Sequence, residues 1–459
     1  MRWAARTTVA LGLMMWVASC GTPAPNVTPK TRAGSPVEMN TFSSRPAPPT
    51  TRSNQSIAQE FIPLAFDLET GTRLPVLSRF ENPVTLRVAG DGLSDIGQKD
   101  LDNLLIRLRN EAGISITQVP ASQHANITVH VLKLRKMQRL VPDAACFVAP
   151  RVESWAEYKA SRNSDLLDWT TLKERTKLTV FIPGDVAPQE VRDCLHEEIA
   201  QALGPVNDLY QLTDSIFNDD NFRNVLTGFD MMVLRAYYDP ELHSGMTRSE
   251  VAARLPAILT RINPKGRTGF SSATSTPRPW VMQIETALSG RKSSAVRLNA
   301  ANSAIQMARA LNWNDNRLAF ALYVRGKLTL GSNTELSIAS FAEAESIYRS
   351  DPNTQIHAAN ISVQAAAFAL SAGQANDAIT IVDTNIPVVL EAQNAGLLSE
   401  MLMIKAEALD FLGQSSEAQT VRLDSIGWAR YGIGSEAEIR GRLSEISNLN
   451  PKNRRTASR

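Results

Sequence analysis

The sequence predicts an α+β fold followed by an all-α region. Three observations carry that reading. Between about 56 and 262, strand-like alternation and helical periodicity interleave. From Trp280 onward nearly every segment has the apolar spacing of an Ala-rich amphipathic helix. Two stretches rich in Pro, Gly, Ser and Thr, at about 22–54 and 266–279, separate these blocks from the N-terminus and from each other.

Taken in order, Val84–Val88 alternates and predicts a strand. Asp95–Ala112 has apolar residues at helical spacing, and Gly113 is a natural stop. Ile114–Val119, Ile127–Leu134 and Leu178–Ile182 predict strands, the last bounded by Pro183-Gly184. A long loop holding Cys146 precedes that last strand. Val191–Leu203 predicts a helix closed by Gly204-Pro205, and Met231–Tyr238 opens a further helical segment.

The helical region contains a repeat. Gly373-Gln374-Ala375-Asn376-Asp377-Ala378 recurs as Gly413-Gln414-Ser415-Ser416-Glu417-Ala418, 40 positions on, and Gly331 with Ala342 and Ala344 marks an earlier unit. Pro352 and Pro387 are expected at helix ends. The pattern resembles tetratricopeptide helical hairpins, although its period exceeds the usual 34 or so residues. That resemblance implies units that bury their apolar faces by stacking, with a groove for another envelope protein or a peptide.

Charge excludes one class of partner. Lys and Arg number 48 against 46 Asp and Glu, a net charge of +2, so no strong field points to nucleic acid. A short basic tail, 451–459, carries Lys452, Arg454, Arg455 and Arg459. It reads as solvated, with contact to anionic lipid or a wall polymer as the alternative.

The first residues carry a location signal. Arg2 and Arg6 precede an apolar run, Val9–Val17, too short for the roughly 20 residues that span a bilayer. The run ends in Val17-Ala18-Ser19-Cys20-Gly21. This resembles a bacterial lipobox, which implies a signal peptide over 1–19 and a lipid on Cys20. Gly21 stands where an Asp would favour inner-membrane retention, so the expected address is the outer membrane, facing the periplasm. Residues 20–55 then form a lipidated, disordered tether. With Cys20 lipidated, Cys146 and Cys194 remain, and a disulfide between them is expected in an oxidising compartment. Two buried free thiols are the alternative. The remaining boundaries are 56–262 for the α+β domain, 263–279 for a linker and 280–450 for the helical domain.

The segment richest in chemistry is Cys194–Asp208, CLHEEIAQALGPVND. His196-Glu197 suggests the zinc motif H-E-x-x-H, but the second ligand position is Ala200 and that register fails. One residue later, Glu197 to Asp208 resembles the metzincin motif H-E-x-x-H-x-L-G-x-x-H-D. The candidate base Glu198, the Leu203-Gly204 pair and Asp208 are kept. Glu197, Gln201 and Asn207 stand at the three zinc-ligand positions. Downstream, Ser215-Ile216-Phe217 resembles the turn beneath the metal, with Phe217 in place of Met. Leu226-Thr227-Gly228-Phe229-Asp230 followed by Tyr237-Tyr238 resembles the end of such catalytic domains.

The same stretch resembles a proteobacterial lipoprotein family with domain of unknown function 2927. The matching residues are Phe61, Leu64-Ala65-Phe66, Leu77, Arg79-Phe80, Pro83-Val84, the E-E-x-x-Q-x-L-G-x-x-N-D stretch and Tyr238-Asp239-Pro240. This resemblance implies that Glu, Gln and Asn are the family's own set, and it supplies no activity.

One carboxylate and two amides are poor zinc ligands. No cofactor is expected, and such oxygen donors would hold a divalent cation only weakly. Gln201 and Asn207 are expected to bond each other and nearby backbone, with Glu197 and Glu198 partly solvated. Gly204 is expected to take a left-handed turn. His196, a quarter turn from the 197/201 face, is expected at or near the surface, and His124, His130, His243 and His357 lack metal-ligand spacing. The expected function is therefore non-catalytic binding or scaffolding by a membrane-anchored envelope lipoprotein. The alternative is a divergent metal-dependent peptidase or cell-wall hydrolase acting in the periplasm.

Overall fold

The computed structural model describes residues 37–267 and 274–453. Cys20, the 1–19 segment, Arg454, Arg455 and Arg459 lie outside the described residues. The N-terminal part is α+β and the C-terminal part is all helical, as the patterning predicts.

Five strands form one sheet: β1 (Val84–Gly90), β2 (Ile116–Gln118), β3 (Ile127–Leu132), β4 (Phe147–Pro150) and β5 (Leu178–Pro183). Their order is β2-β1-β3-β5-β4. All neighbours are parallel except β4, which runs antiparallel to β5 at the edge. The strand β4 falls in what the sequence reads as loop. It has only four residues, all buried, so it carries no alternation to detect.

Seven helices complete this part: α1 (Asn54–Phe66), α2 (Asp95–Ala112), α3 (Leu134–Gln138), α4 (Trp155–Ser161), α5 (Pro188–Leu203), α6 (Gly228–Tyr237) and α7 (Arg248–Ile262). Local signals set their ends. The Ser94 side chain caps α2 by accepting from the Gly97 N–H, and Gly113 closes it at φ 72°. Thr227 and Asp230 form a reciprocal capping box at α6. Strand alternation divides the apolar side chains between two faces. Val180 and Ile182 join the main core with Leu104, Leu108, Leu195 and Ile199 from α2 and α5. Phe181 and Phe147 point the other way, into an aromatic cluster with Trp155 and Tyr158.

Among the described residues nine α-helices follow: α8 (Arg278–Leu288), α9 (Ser294–Ala310), α10 (Asn316–Thr329), α11 (Thr334–Arg349), α12 (Gln355–Ser371), α13 (Ala375–Glu391), α14 (Ala395–Phe411), α15 (Ser415–Gly432) and α16 (Glu436–Ser447). They stack as successive helical hairpins. The repeated Gly373 and Gly413 sit at φ 79° and 84° just past α12 and α14, where they reverse the chain. Between α14 and α15 the backbones nearly touch. A Cβ on Gly432 would lie 2.2 Å from the Gly396 nitrogen, so only glycine fits there. Pro352 opens a short 3-10 turn before α12, as expected. Pro387 does not end a helix; it lies within α13.

Two features depart from a domain, a free linker and a second domain. Residues 37–53 form an extended strap rather than a free tether. Asn40 donates twice to α15, its backbone N–H to the Gly427 carbonyl at 3.0 Å and its side-chain amide to Asp424 at 2.9 Å. Phe42 packs on Trp428 with ring centroids 4.7 Å apart, and Arg52 pairs with Asp214 at 2.5 Å. The second feature is a shared core. Tyr210 and Phe222, from the loop after the motif helix, belong to the apolar core of the helical region. Phe222 lies 4.7 Å from His357 and 5.4 Å from Tyr323, and Tyr210 lies 5.3 Å from Trp280. Residues of α10, α12 and the start of α14 thus face the α+β part of the same chain.

Candidate functional site

The motif helix α5 begins at Pro188, whose missing N–H is tolerated in a first turn. From Cys194 to Leu203 every residue is buried. Its C-terminal end is held by a buried arginine that no sequence pattern signals. Arg175 donates to the carbonyls of Gln201 (2.6 Å), Ala202 (2.8 Å) and Gly204 (2.5 Å), and its guanidinium lies 5.5 Å from the centroid of the Trp169 ring. Carbonyls that would otherwise be orphaned at a helix end are satisfied, and the positive charge suits the negative end of the helix dipole. The Tyr238 hydroxyl donates to a further carbonyl, Leu203, at 2.9 Å. Past the helix, Gly204 is not left-handed. Its φ is −164°, and glycine is needed for space, because a Cβ would sit 3.0 Å from the Tyr237 ring.

Cys146 and Cys194 form the expected disulfide, with Cα atoms 5.9 Å apart. It fastens the approach to β4 onto α5 and makes one wall of a cleft.

That cleft has about 660 Å³ of free space, counting the part open to solvent. Glu197, Glu198 and Gln201 from α5 line it together with Val206 and Asp208. So do Ala145–Val148, Trp169, and two carboxylates the sequence reading omits, Glu69 and Asp219. Glu69 arrives on a tight turn after α1, closed by the Gly71 N–H on the Leu68 carbonyl at 2.7 Å. Nothing in that turn's sequence marks a site. Asp219 lies in the Asn218-Asp219-Asp220 run, which reads as a polar loop.

Glu197 and Glu198 are buried, not partly solvated, at 6% and 4% exposure. Gln201 and Asn207 do not bond each other. The Gln201 amide approaches Asp208 at 3.5 Å, and the Asn207 amide donates to the Pro63 carbonyl of α1 at 3.1 Å. Burial pushes the Glu69 carboxyl well above the usual carboxylate range, and the nearby charges of Asp208, Asp219 and Glu198 push it further. Among the described residues no group of three or more His, Cys, Asp or Glu is placed to hold a metal ion.

The turn at 215–217 supports the loop behind the cleft. Phe217 is fully buried, and its carbonyl accepts from Leu209 at 2.9 Å. Ser215 and the Ile216 N–H both bond Asp230, at 2.5 and 3.1 Å. Burial raises the Asp230 pKa to about 6 against these hydrogen bonds.

His196 is not at the surface. It is 5% exposed, and its Nδ1 accepts the Leu226 N–H at 3.1 Å. Burial, then Arg107 and Arg192, hold its pKa well below the ordinary histidine value, so it is neutral.

Residues 54–257 match a family model described as a protein of unknown function, DUF2927. The matched segment runs from α1 into α7 and includes every cleft residue named above. The helical region lies beyond it. No curated protein matches the chain.

Proposed function

We propose that this is a lipid-anchored envelope lipoprotein whose DUF2927 segment binds a ligand without metal-dependent catalysis. The observation that carries this reading is the fate of the three motif positions. Glu197, Gln201 and Asn207 offer no imidazole, and the two amides are engaged by Asp208 and Pro63. This supports the reading of a metzincin-like scaffold that keeps its cleft without its metal chemistry. Sheet order with an antiparallel edge strand, and the buried 215–217 turn, support the same likeness.

The cleft favours a cationic group. Five carboxylates, Glu69, Glu197, Glu198, Asp208 and Asp219, line it beside the Trp169 indole. An ammonium or guanidinium would gain charge-assisted hydrogen bonds and an aromatic face. The ligand class is then a basic peptide segment or a free amino group of an envelope polymer. The helical hairpins, tetratricopeptide-like in repeat and turn, brace this cleft by holding the 209–226 loop. Their outer helices are the surface left for an envelope partner.

Titration of the purified protein with a Lys/Arg-rich peptide and with its acetylated, uncharged counterpart tests the reading. Saturable binding of the basic peptide alone, weakened at least tenfold in Glu198→Gln, is expected, with less than 0.1 equivalent of zinc in the same preparation. Equal binding of both peptides, or stoichiometric zinc, would overturn it.

A second reading is favoured by the raised pKa of Glu69. A carboxyl pushed toward its protonated form beside other carboxyl groups suits general acid and base work on a wall polymer without metal. Release of soluble fragments from purified cell wall, abolished in both Glu69→Gln and Glu198→Gln, would select it.

A further inference from the structure

We propose that a second pocket, on the opposite side of α5, binds a small oxyanion of the phosphate class. It is a shallow recess between the strap, α2 and α5, with about 340 Å³ of free space counting the part open to solvent. Its lining is dominated by hydrogen-bond donors. Arg192 is 4% exposed; its two terminal nitrogens reach Gln393, at 2.6 Å to the carbonyl and 3.3 Å to the side-chain oxygen. Its Nε–H is buried and meets no acceptor among the described residues. A buried donor of a permanent charge without an acceptor is rare and unfavourable, unless a ligand supplies one.

His196 adds a second donor by tautomer. Its Nδ1 accepts from the Leu226 N–H, so the proton of the neutral ring sits on Nε2. Ser43, Ser44 and Asn103 complete the lining from two other segments.

Charge points the same way. Arg107 is matched by Glu111 at 2.7 Å, and Asp100 is engaged by the Tyr431 hydroxyl at 2.7 Å. Arg45 donates to the Leu390 carbonyl, and among the described residues neither it nor Arg192 forms an ion pair. Two cations thus face a small space whose one carboxylate already has a partner. Donors converging from the strap, α2 and α5 suit a tetrahedral anion better than a planar carboxylate. An anion there would join the strap to both parts of the molecule.

Thermal unfolding in phosphate-free buffer tests the site, comparing inorganic phosphate with chloride at equal ionic strength. Glycerol phosphate forms a second arm that separates free phosphate from a phosphomonoester. At tenfold the dissociation constant the expected rise in Tm is about 1–2 °C. Amide hydrogen exchange at Phe42–Ser44 should slow in parallel. Arg192→Gln should abolish both responses. Asn103→Asp, a half-buried change that keeps the side-chain shape, should do the same by repulsion. Should Arg192→Gln fail to fold, Asn103→Asp decides. No rise with either phosphate compound, or an undiminished rise in Asn103→Asp, overturns the proposal.

Discussion

The His357 imidazole of α12 places Nε2 3.1 Å from Oδ2 of Asp220, and both side chains are buried. This contact joins the helical region to the loop behind the cleft. Asp220 is also held by the Asn218 amide at 2.8 Å and the Phe222 N–H at 3.2 Å. His357→Ala removes one of three partners and opens space beside Phe222. A loss of about 2–3 kcal/mol is expected. Urea unfolding followed by tryptophan fluorescence measures it, and His357→Ala should unfold both parts earlier in one transition.

Arg175 makes a sharper prediction. Arg175→Met keeps the apolar stem but leaves the carbonyls of Gln201, Ala202 and Gly204 without their donor. The expected loss is about 3 kcal/mol or more. Lysine lacks the planar fork, so Arg175→Lys should recover less than half. Denaturant midpoints of the three proteins check the ranking.

Reduction of Cys146–Cys194 should also lower stability. The bridge closes a loop across 48 positions, which corresponds to about 4 kcal/mol of restricted unfolded-state freedom. Cys146→Ser with Cys194→Ser should match the reduced protein in its midpoint. Both should loosen the Ala145–Val148 wall of the cleft, visible as faster amide exchange there.

Two carboxyls give a pH dependence of opposite sign to the usual one. Burial pushes the Asp230 carboxyl up to about 6, above the ordinary aspartate value of about 4. The folded state therefore binds the proton more tightly. Its stability contribution is full below about pH 4, falls as pH rises to about 6, and is flat above. Asp230→Asn should flatten that slope. Glu69 is shifted upward as well, so Glu69→Gln should raise stability at neutral pH, a pattern typical of a binding site not optimised for folding. Thermal unfolding between pH 4 and 8 checks both.

Much of the frame is legible in the sequence because its signals are local. Strand alternation at Val84–Val88, the Gly113 stop, the Thr227–Asp230 cap and the repeated Gly373 and Gly413 each depend on a few neighbouring residues. The Cys146–Cys194 pair follows from counting once Cys20 is set aside. What is not legible is long-range. Glu69 and Asp219 reach the cleft from separate loops, and Arg175 reaches the end of α5 across the chain. None of these positions has a spacing that betrays its neighbour. Gly204 shows the limit in another way: the residue type is read correctly as special, but the reason is the Tyr237 ring rather than a left-handed turn. The burial of His196 depends on α2 and the strap, which a helical wheel of α5 alone does not contain.

The aromatic seam of Tyr210, Phe222, Trp280 and Phe320 has a consequence for how the chain can be divided. Severing it near the 263–279 joint would bare large rings on both halves, and each fragment would be prone to aggregate. Loss of a partner after such a cut would report damage as readily as recognition. Inheritance faces the same restriction. A shuffled gene that exchanged the helical half for another array would have to supply the missing half of this seam, so the two halves are expected to vary together.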